Sequence, residues 1–199
     1  MNLNMREMLG GDVARLRYIK RFSTCRTVGS ETVAEHTAFV VIYCALIARW
    51  VEANTELRPD VATLLERAAL HDIEEARSGD FPRSFKHRTQ ELRDAVEVAA
   101  QIEAQDIFTS LTDDSRSQEK LYATWKHAKD DSLEGLILDF ADFLSAVSFI
   151  CEERKVGNFC LSQHTGTLTK YLDKFQGEKF RFLAPLVRQA STIVTEVLT

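Results

Sequence analysis

Apolar residues recur at helical spacing along nearly the whole chain, and no stretch alternates convincingly as a strand. Residues 10–22 (GGDVARLRYIKRF) form a short amphipathic stretch with Val13, Leu16 and Ile19 on one face, and the segment FSTCRTVGS breaks the pattern. Thr32 and Glu35 have the form of a capping box, with Ser30 as an alternative cap. They predict a helix to about Asn54 with Val33, Ala34, Val40, Val41, Cys44, Ile47 and Ala48 as its apolar positions. TELRPD is a turn. Pro59 is expected early in a second helix over residues 61–75, whose last turns carry His71 and Asp72. SGDFPRS is a loop, because Gly79 and Pro82 end any helix there. Residues 89–111 and 117–128 predict two further helices, parted by the polar TDDSRSQ. Ser132 caps a long apolar helix, SLEGLILDFADFLSAVSFICEE, which carries Asp139 and Asp142. GNFCLSQ breaks it, and amphipathic helices over 161–175 and 182–198 complete the chain. The reading is an all-α bundle of about seven helices.

Composition strengthens that picture. Only 8 Gly and 3 Pro occur in 199 residues, and 45% of the chain is apolar, enough for a sizeable core. Length, with no repeat, low-complexity tract or linker, predicts a single domain over residues 1–199. The net charge of −5 disfavours nonspecific nucleic-acid binding and suits a small substrate. Cys25, Cys44, Cys151 and Cys160 are scattered, without a CxxC pair, and read as free, mostly buried thiols of a reducing compartment. MNLNMREMLG lacks the features of a signal peptide, and no apolar run is expected to reach membrane-spanning length. The expectation is a cytoplasmic protein with neither a nucleic-acid nor a membrane partner.

The chemistry centres on His71-Asp72, with His36 upstream and Asp142 downstream. The spacing His-x34-His-Asp-x69-Asp draws two imidazoles and two carboxylates from three separate segments. A divalent ion could pin those segments together. The donor set suits Mn²⁺, Co²⁺, Fe²⁺, Ni²⁺ or Zn²⁺ better than Ca²⁺. Asp142 lies within LILDFADFLSAVSFI, where a lone buried carboxylate would cost several kcal/mol unless a cation or donors compensate it. Asp139, one turn earlier, is its rival. His87 and His127 sit in polar surroundings and His164 follows a helix break; none of the three is expected to bind metal.

The order H…HD…D resembles the HD-domain metal-dependent phosphohydrolases. The strings IKRF…ETVAEHT, LHDIEEARSGDFPRSFK and ADFLSA further resemble the small bacterial 5′-deoxynucleotidases of the YfbR-like branch and related phage enzymes, including dATP triphosphohydrolases. The resemblance spans residues 10–155, with the helices of 158–199 expected to pack on that motif core. It implies His36, His71, Asp72 and Asp142 as metal ligands, favouring Asp142 over Asp139 through Ala-Asp-Phe-Leu. It implies Glu75 as the catalytic carboxylate, with Asp72 beside it, and a Co²⁺, Mn²⁺ or Zn²⁺ cofactor, with Mg²⁺ as a further candidate. It also implies Arg21 and Lys86 at the phosphate and Asp80 at the deoxyribose 3′-hydroxyl. Phe22 stands where the family usually has Trp packed on the sugar.

Glu75 follows Asp72 by three residues and on a helix faces the same side. There it can orient or deprotonate water, or protonate a leaving oxygen. The leading reading is a 5′-deoxynucleotidase that takes dNMP to deoxynucleoside and phosphate. A dNTP triphosphohydrolase is the alternative, and the basic RTVGSE and PRSFKHR segments are compatible with it. A non-catalytic nucleotide-sensing module would be expected to lose one of the five key residues. Cyclic-nucleotide or (p)ppGpp hydrolysis fits the GDxP element and the Arg21-Phe22 pair less well. Apolar faces on helices 136–150 and 182–198 could serve a homodimer or higher homo-oligomer, or simply the core.

Overall fold

The structure, a computed structural model, describes residues 2–86, 88–161 and 165–198. His87 and His164 lie outside the described residues. Regular structure among the described residues is helical apart from two isolated bridges, Leu3 with Thr112 and Lys20 with Thr32.

The chain opens with α1 (Met5–Gly10) and α2 (Asp12–Arg15), so the expected amphipathic stretch over 10–22 is helical no further than Arg15, and the two helices are parted at Gly11. A side chain there would meet the Glu7 carbonyl at 2.6 Å, which only glycine avoids. Leu16 is nevertheless buried, with Val13 and Ile19 packed beside it.

The central helix is α3 (Val33–Asn54). Its capping box forms as expected: Glu35 N–H donates to Thr32 Oγ1 at 3.2 Å, and Thr32 N–H to Glu35 Oε2 at 2.7 Å. By length and composition α3 could cross a membrane, which corrects the expectation that no run was apolar enough. Here it packs against α4 (Val61–Leu70) and the long α9 (Leu133–Lys155). α4 is capped by Asp60, whose carboxylate accepts from Thr63 N–H at 3.1 Å. Pro59 therefore precedes the helix and does not belong to it.

The second expected helix stops at Leu70, short of the predicted 75. Residues 71–74 form tight turns, with Ile73 N–H donating to Leu70 O and Glu75 N–H to Asp72 O, before α5 (Glu75–Ser78). His71 Nδ1 lies 2.8 Å from the Ala68 carbonyl and caps the end it terminates. The expected loop that follows contains a further short helix, α6 (Arg83–Lys86), preceded by Pro82, whose carbonyl accepts from Phe85 N–H at 2.8 Å and Lys86 N–H at 3.1 Å.

α7 (Gln90–Leu111) and α8 (Ser115–Lys126) follow, capped by Thr89 and Asp114. α9 is capped by Ser132. α10 (Thr165–Lys174), a 3₁₀ segment (Glu178–Leu183) and α11 (Ala184–Leu198) end the chain.

Two apolar cores result. The larger joins α3, α4, α9, α10 and α11 around Phe140, Phe175 and Phe180, whose rings meet edge-on at 5.1 and 4.9 Å. The smaller gathers Leu16, Val33, Ile73, Ile107 and Phe108. Along α3, Val33 belongs to the smaller core and Val40 to the larger, so His36 falls between them. The apolar stripes of α9 and α11 face inward: Leu136, Phe140, Val147, Val187 and Val194 are buried. All four cysteines are free, but only Cys44 is buried; burial pushes its thiol up to about 12. Cys25 and Cys151 are half-buried and Cys160 is exposed.

Candidate active site

His36, His71 and Asp142 meet at the junction of the helices, their ligating atoms within 4.8 Å of one another. His36 Nε2 lies 3.0 Å from Asp142 Oδ1 and 3.5 Å from Asp72 Oδ2; His71 Nε2 lies 3.1 Å from Asp72 Oδ2. The early end of α4 makes this possible, since the turns after Leu70 aim both halves of the His-Asp pair at α3 and α9.

The imidazoles are oriented from behind. His71 Nδ1 donates to the Ala68 carbonyl, which leaves Nε2 as the lone-pair nitrogen, and His36 Nδ1 lies 2.9 Å from Ser145 Oγ. Both Nε2 atoms are buried without a hydrogen-bond partner, although carboxylate oxygens stand close. Short contacts without hydrogen-bond geometry are what atoms converging on a common ion produce. A buried nitrogen left unsatisfied is otherwise costly. The donor set fits a divalent metal, and His36, His71, Asp72 and Asp142 are the residues that could hold one.

Burial pushes Asp142 up, but Lys129 and His36 outweigh it and hold the carboxyl well below the usual range. Burial likewise opposes Asp72, and His71 and His36 keep it low. Burial would lower His36; the close approach of Asp142 and Asp72 raises it. Glu75 goes the other way, with burial and the neighbouring Asp72 charge pushing it well above the carboxylate norm. Its Oε1 accepts from Lys86 Nζ at 3.2 Å, and its buried Oε2 has no hydrogen-bond partner. Glu74 is raised to about 7 by burial and Asp72, while Trp125 Nε1 donates to it at 2.7 Å.

A cavity of about 240 Å³ opens from this cluster, and Arg21, Phe22, Asp72, Glu75, Asp80, Lys86 and Asp142 all line it. Arg21 is held by Glu31 at 2.6 Å. Phe22 takes a left-handed φ of 54° and stacks on Phe149, centroids 5.0 Å apart. Burial raises Asp80, against the pull of Arg21 and Lys86. Asp139, the rival carboxylate, pairs instead with Lys174. Three residues along a helix turn it about 60° away from Asp142. His127 is exposed at the end of α8.

Sequence reasoning missed three features. Lys129 lines the cavity and donates to Asp142 Oδ2 at 2.6 Å. It sits in a polar turn whose composition gives no hint of a site. Leu168 and Tyr171 of α10 form part of the wall, although their spacing reads as core. Glu153, in a run that reads as a solvated helix end, is buried.

A model of the 5′-deoxynucleotidase YfbR-like family matches residues 11–188. The chain belongs to that family. It is 28% identical over 173 residues to a 5′-deoxynucleotidase of Vibrio cholerae, covering 85% of this chain and 87% of the relative. It is 30% identical over 161 residues to 5′-deoxynucleotidase YfbR of Escherichia coli O1:K1, covering 73% and 72%. Among solved structures, a Pyrococcus horikoshii protein superposes with a TM-score of 0.77 at 18% identity, covering 96% of this chain and 99% of that one. An HD-domain phosphohydrolase of Listeria innocua gives 0.66 at 21%, covering 93% and 96%. These likenesses establish the all-α fold of this YfbR-like chain.

Proposed function

We propose that this protein is a divalent-metal-dependent 5′-deoxynucleotidase that converts a deoxynucleoside monophosphate and water to deoxynucleoside and phosphate. The observation that carries the reading is the meeting of two imidazole nitrogens with two carboxylates at the head of a cavity that also holds Glu75, Arg21 and Lys86. The relatives named 5′-deoxynucleotidase supply the substrate class.

In this reading His36, His71, Asp72 and Asp142 hold the ion, with Co²⁺, Mn²⁺ or Zn²⁺ favoured by the donors and Mg²⁺ as a further candidate. When bound, such an ion lowers the pKa of a water and neutralises phosphate charge. The water oxygen bonds to phosphorus, the bond from phosphorus to O5′ breaks, and the leaving oxygen takes a proton. Glu75 handles that proton, since it lines the cavity beside Asp72 and its buried Oε2 is not engaged. Arg21, oriented by Glu31, and Lys86 neutralise phosphate oxygens. Asp80 accepts from the 3′-hydroxyl, and Phe22 packs on the sugar.

A second reading, a dNTP triphosphohydrolase releasing triphosphate, is favoured by one observation: Lys129 adds a third cation to the cavity. The enzyme is read as cytoplasmic, in a bacterium or a phage-infected host, and as a homodimer or higher homo-oligomer. The exposed Phe39, Ile42 and Leu46 along α3 are available to an interface.

Product analysis tests the function. Metal-stripped protein is incubated with each dNMP and dNTP, with and without Co²⁺ or Mn²⁺, and products are resolved by ion exchange. Nucleoside and phosphate from dNMPs are expected. Intact triphosphate from a dNTP would replace the first reading with the second, and no turnover with any metal would reject both.

A further inference from the structure

One wall of the cavity is irregular chain. Residues 22–31 pass the cavity as a loop, bringing Ser23, Thr24 and Cys25 to it directly after Arg21 and Phe22. A single carboxylate on α9 ties that loop down. Glu153 is only 2% exposed. Its Oε2 accepts from Val28 N–H at 2.8 Å and its Oε1 from Gly29 N–H at 2.6 Å. Asn158 Nδ2 donates to the same carboxylate, and also to the Arg26 carbonyl at 3.0 Å. Among the described residues no lysine or arginine pairs with Glu153, so neutral donors alone compensate a buried charge. Burial pushes its carboxyl up; the donors of Val28, Asn158 and Gly29 more than offset that and hold it below the usual range.

The same helix face serves the rest of the site. Asp142, Ala146, Phe149 and Glu153 are spaced by four, three and four residues and form one stripe. Asp142 meets His36, Ala146 lines the cavity, Phe149 stacks on Phe22, and Glu153 holds residues 28 and 29. Eleven residues of helix set the two ends of the stripe about 16 Å apart. A side chain on Gly29 would meet Glu153 Oε1 at 2.9 Å, so the loop backbone passes close against the carboxylate. Phe22 keeps its left-handed φ, which a non-glycine residue holds only where its surroundings over-determine it.

We propose that Glu153 is a positioning residue: it ties the 22–29 loop to α9, so that Arg21 and Phe22 are held in register with Asp142 on the same helix. The inference rests on reading the cavity as the deoxynucleotide site. A carboxylate is required because Gln offers one acceptor oxygen and would turn its own N–H groups toward donors.

The test uses the full-length, Co²⁺-loaded protein and the variants Glu153→Gln and Asn158→Ala. Three quantities are measured: hydrogen exchange at the Val28 and Gly29 amides, kcat and KM for each of the four dNMPs, and Co²⁺ affinity by calorimetry. For Glu153→Gln, exchange at both amides is expected to quicken roughly ten-fold or more and KM to rise roughly ten-fold, since charge-assisted hydrogen bonds are lost. The kcat is expected to fall less than KM rises, and Co²⁺ affinity to stay as in the wild type. Asn158→Ala, which keeps the carboxylate, should move exchange and KM the same way by less; should Glu153→Gln fail to fold, it carries the same readouts. Unchanged exchange overturns the tie. Quickened exchange with unchanged KM overturns the positioning role, as does a KM rise matched by lost Co²⁺ affinity. If the wild type hydrolyses no dNMP, the substrate reading fails by itself, and the exchange data still decide whether Glu153 holds the loop.

Discussion

Asp142 and Lys86 line one cleft but are mounted on very different amounts of protein. Asp142 stands on a 23-residue helix whose Ile137, Leu138, Phe140 and Ala141 are fully buried. Lys86 ends a four-residue helix whose neighbours Phe81 and Phe85 are 38% and 47% exposed. The candidate metal cluster is therefore built into the meeting of two cores, whereas the 79–86 side is lightly packed. A cluster of buried nitrogens and carboxylates needs fixed geometry, because each misplaced atom leaves an uncompensated polar group. Groups that meet the substrate gain from a segment able to adjust.

The largest effects should separate the two sides. His71→Ala is expected to lower kcat/KM by at least about a thousand-fold and to abolish stoichiometric metal, since it removes a donor from the cluster. Lys86→Ala is expected to cost about ten- to a hundred-fold through a lost charge-assisted contact, with metal content unchanged. Metal analysis beside steady-state kinetics checks both. Equal metal loss in the two variants would erase the distinction.

A smaller effect probes how the α9 side is completed. Lys129 engages Asp142 Oδ2, while Oδ1 faces His36. It leaves one oxygen directed at the cluster and fixes the carboxylate's rotation. Lys129→Met should weaken metal binding by about ten- to a hundred-fold, the usual cost of losing an outer partner of a ligand. Lys129→Arg should recover most of it. Calorimetric titration with Co²⁺ reads the difference, and unchanged affinity in Lys129→Met would make the lysine a substrate contact only.

Much of this architecture was legible because helix signals are local. Thr32 with Glu35, Asp60, Thr89, Asp114 and Ser132 all cap where a reader of the chain would place or nearly place a start. The break after Leu70 was not legible, since the apolar spacing of VATLLERAALHDIEE runs straight through it. What stops the helix is a set of tight turns and the contact of His71 Nδ1 with Ala68. The candidate cluster could be assembled from residue types and the oddity of a carboxylate amid apolar neighbours. The pattern alone left Asp139 and Asp142 open; Lys174, thirty-five residues beyond Asp139, decides where Asp139 points. Glu153 and Lys129 were invisible for a related reason. Their partners are backbone amides and a carboxylate brought close only by the fold, and such pairings leave no mark in local sequence.

A last pair of variants isolates packing from chemistry and ends on the smallest effect. Phe140 is fully buried and meets Phe143 and Phe175, so Phe140→Ala opens a cavity in the larger core and should cost about 3–5 kcal/mol. Phe85 is nearly half exposed and stacks loosely on Phe81, centroids 6.1 Å apart. Phe85→Ala should change stability by no more than about 0.5 kcal/mol, as surface replacements do. Denaturant unfolding of the metal-loaded protein measures both. Because α6 holds Lys86 against Glu75, the same Phe85 variant should still raise KM a few-fold at unchanged stability. A Phe85→Ala protein destabilised as much as Phe140→Ala would mean that the 79–86 segment belongs to the core after all, and that the two sides of the cleft are held alike.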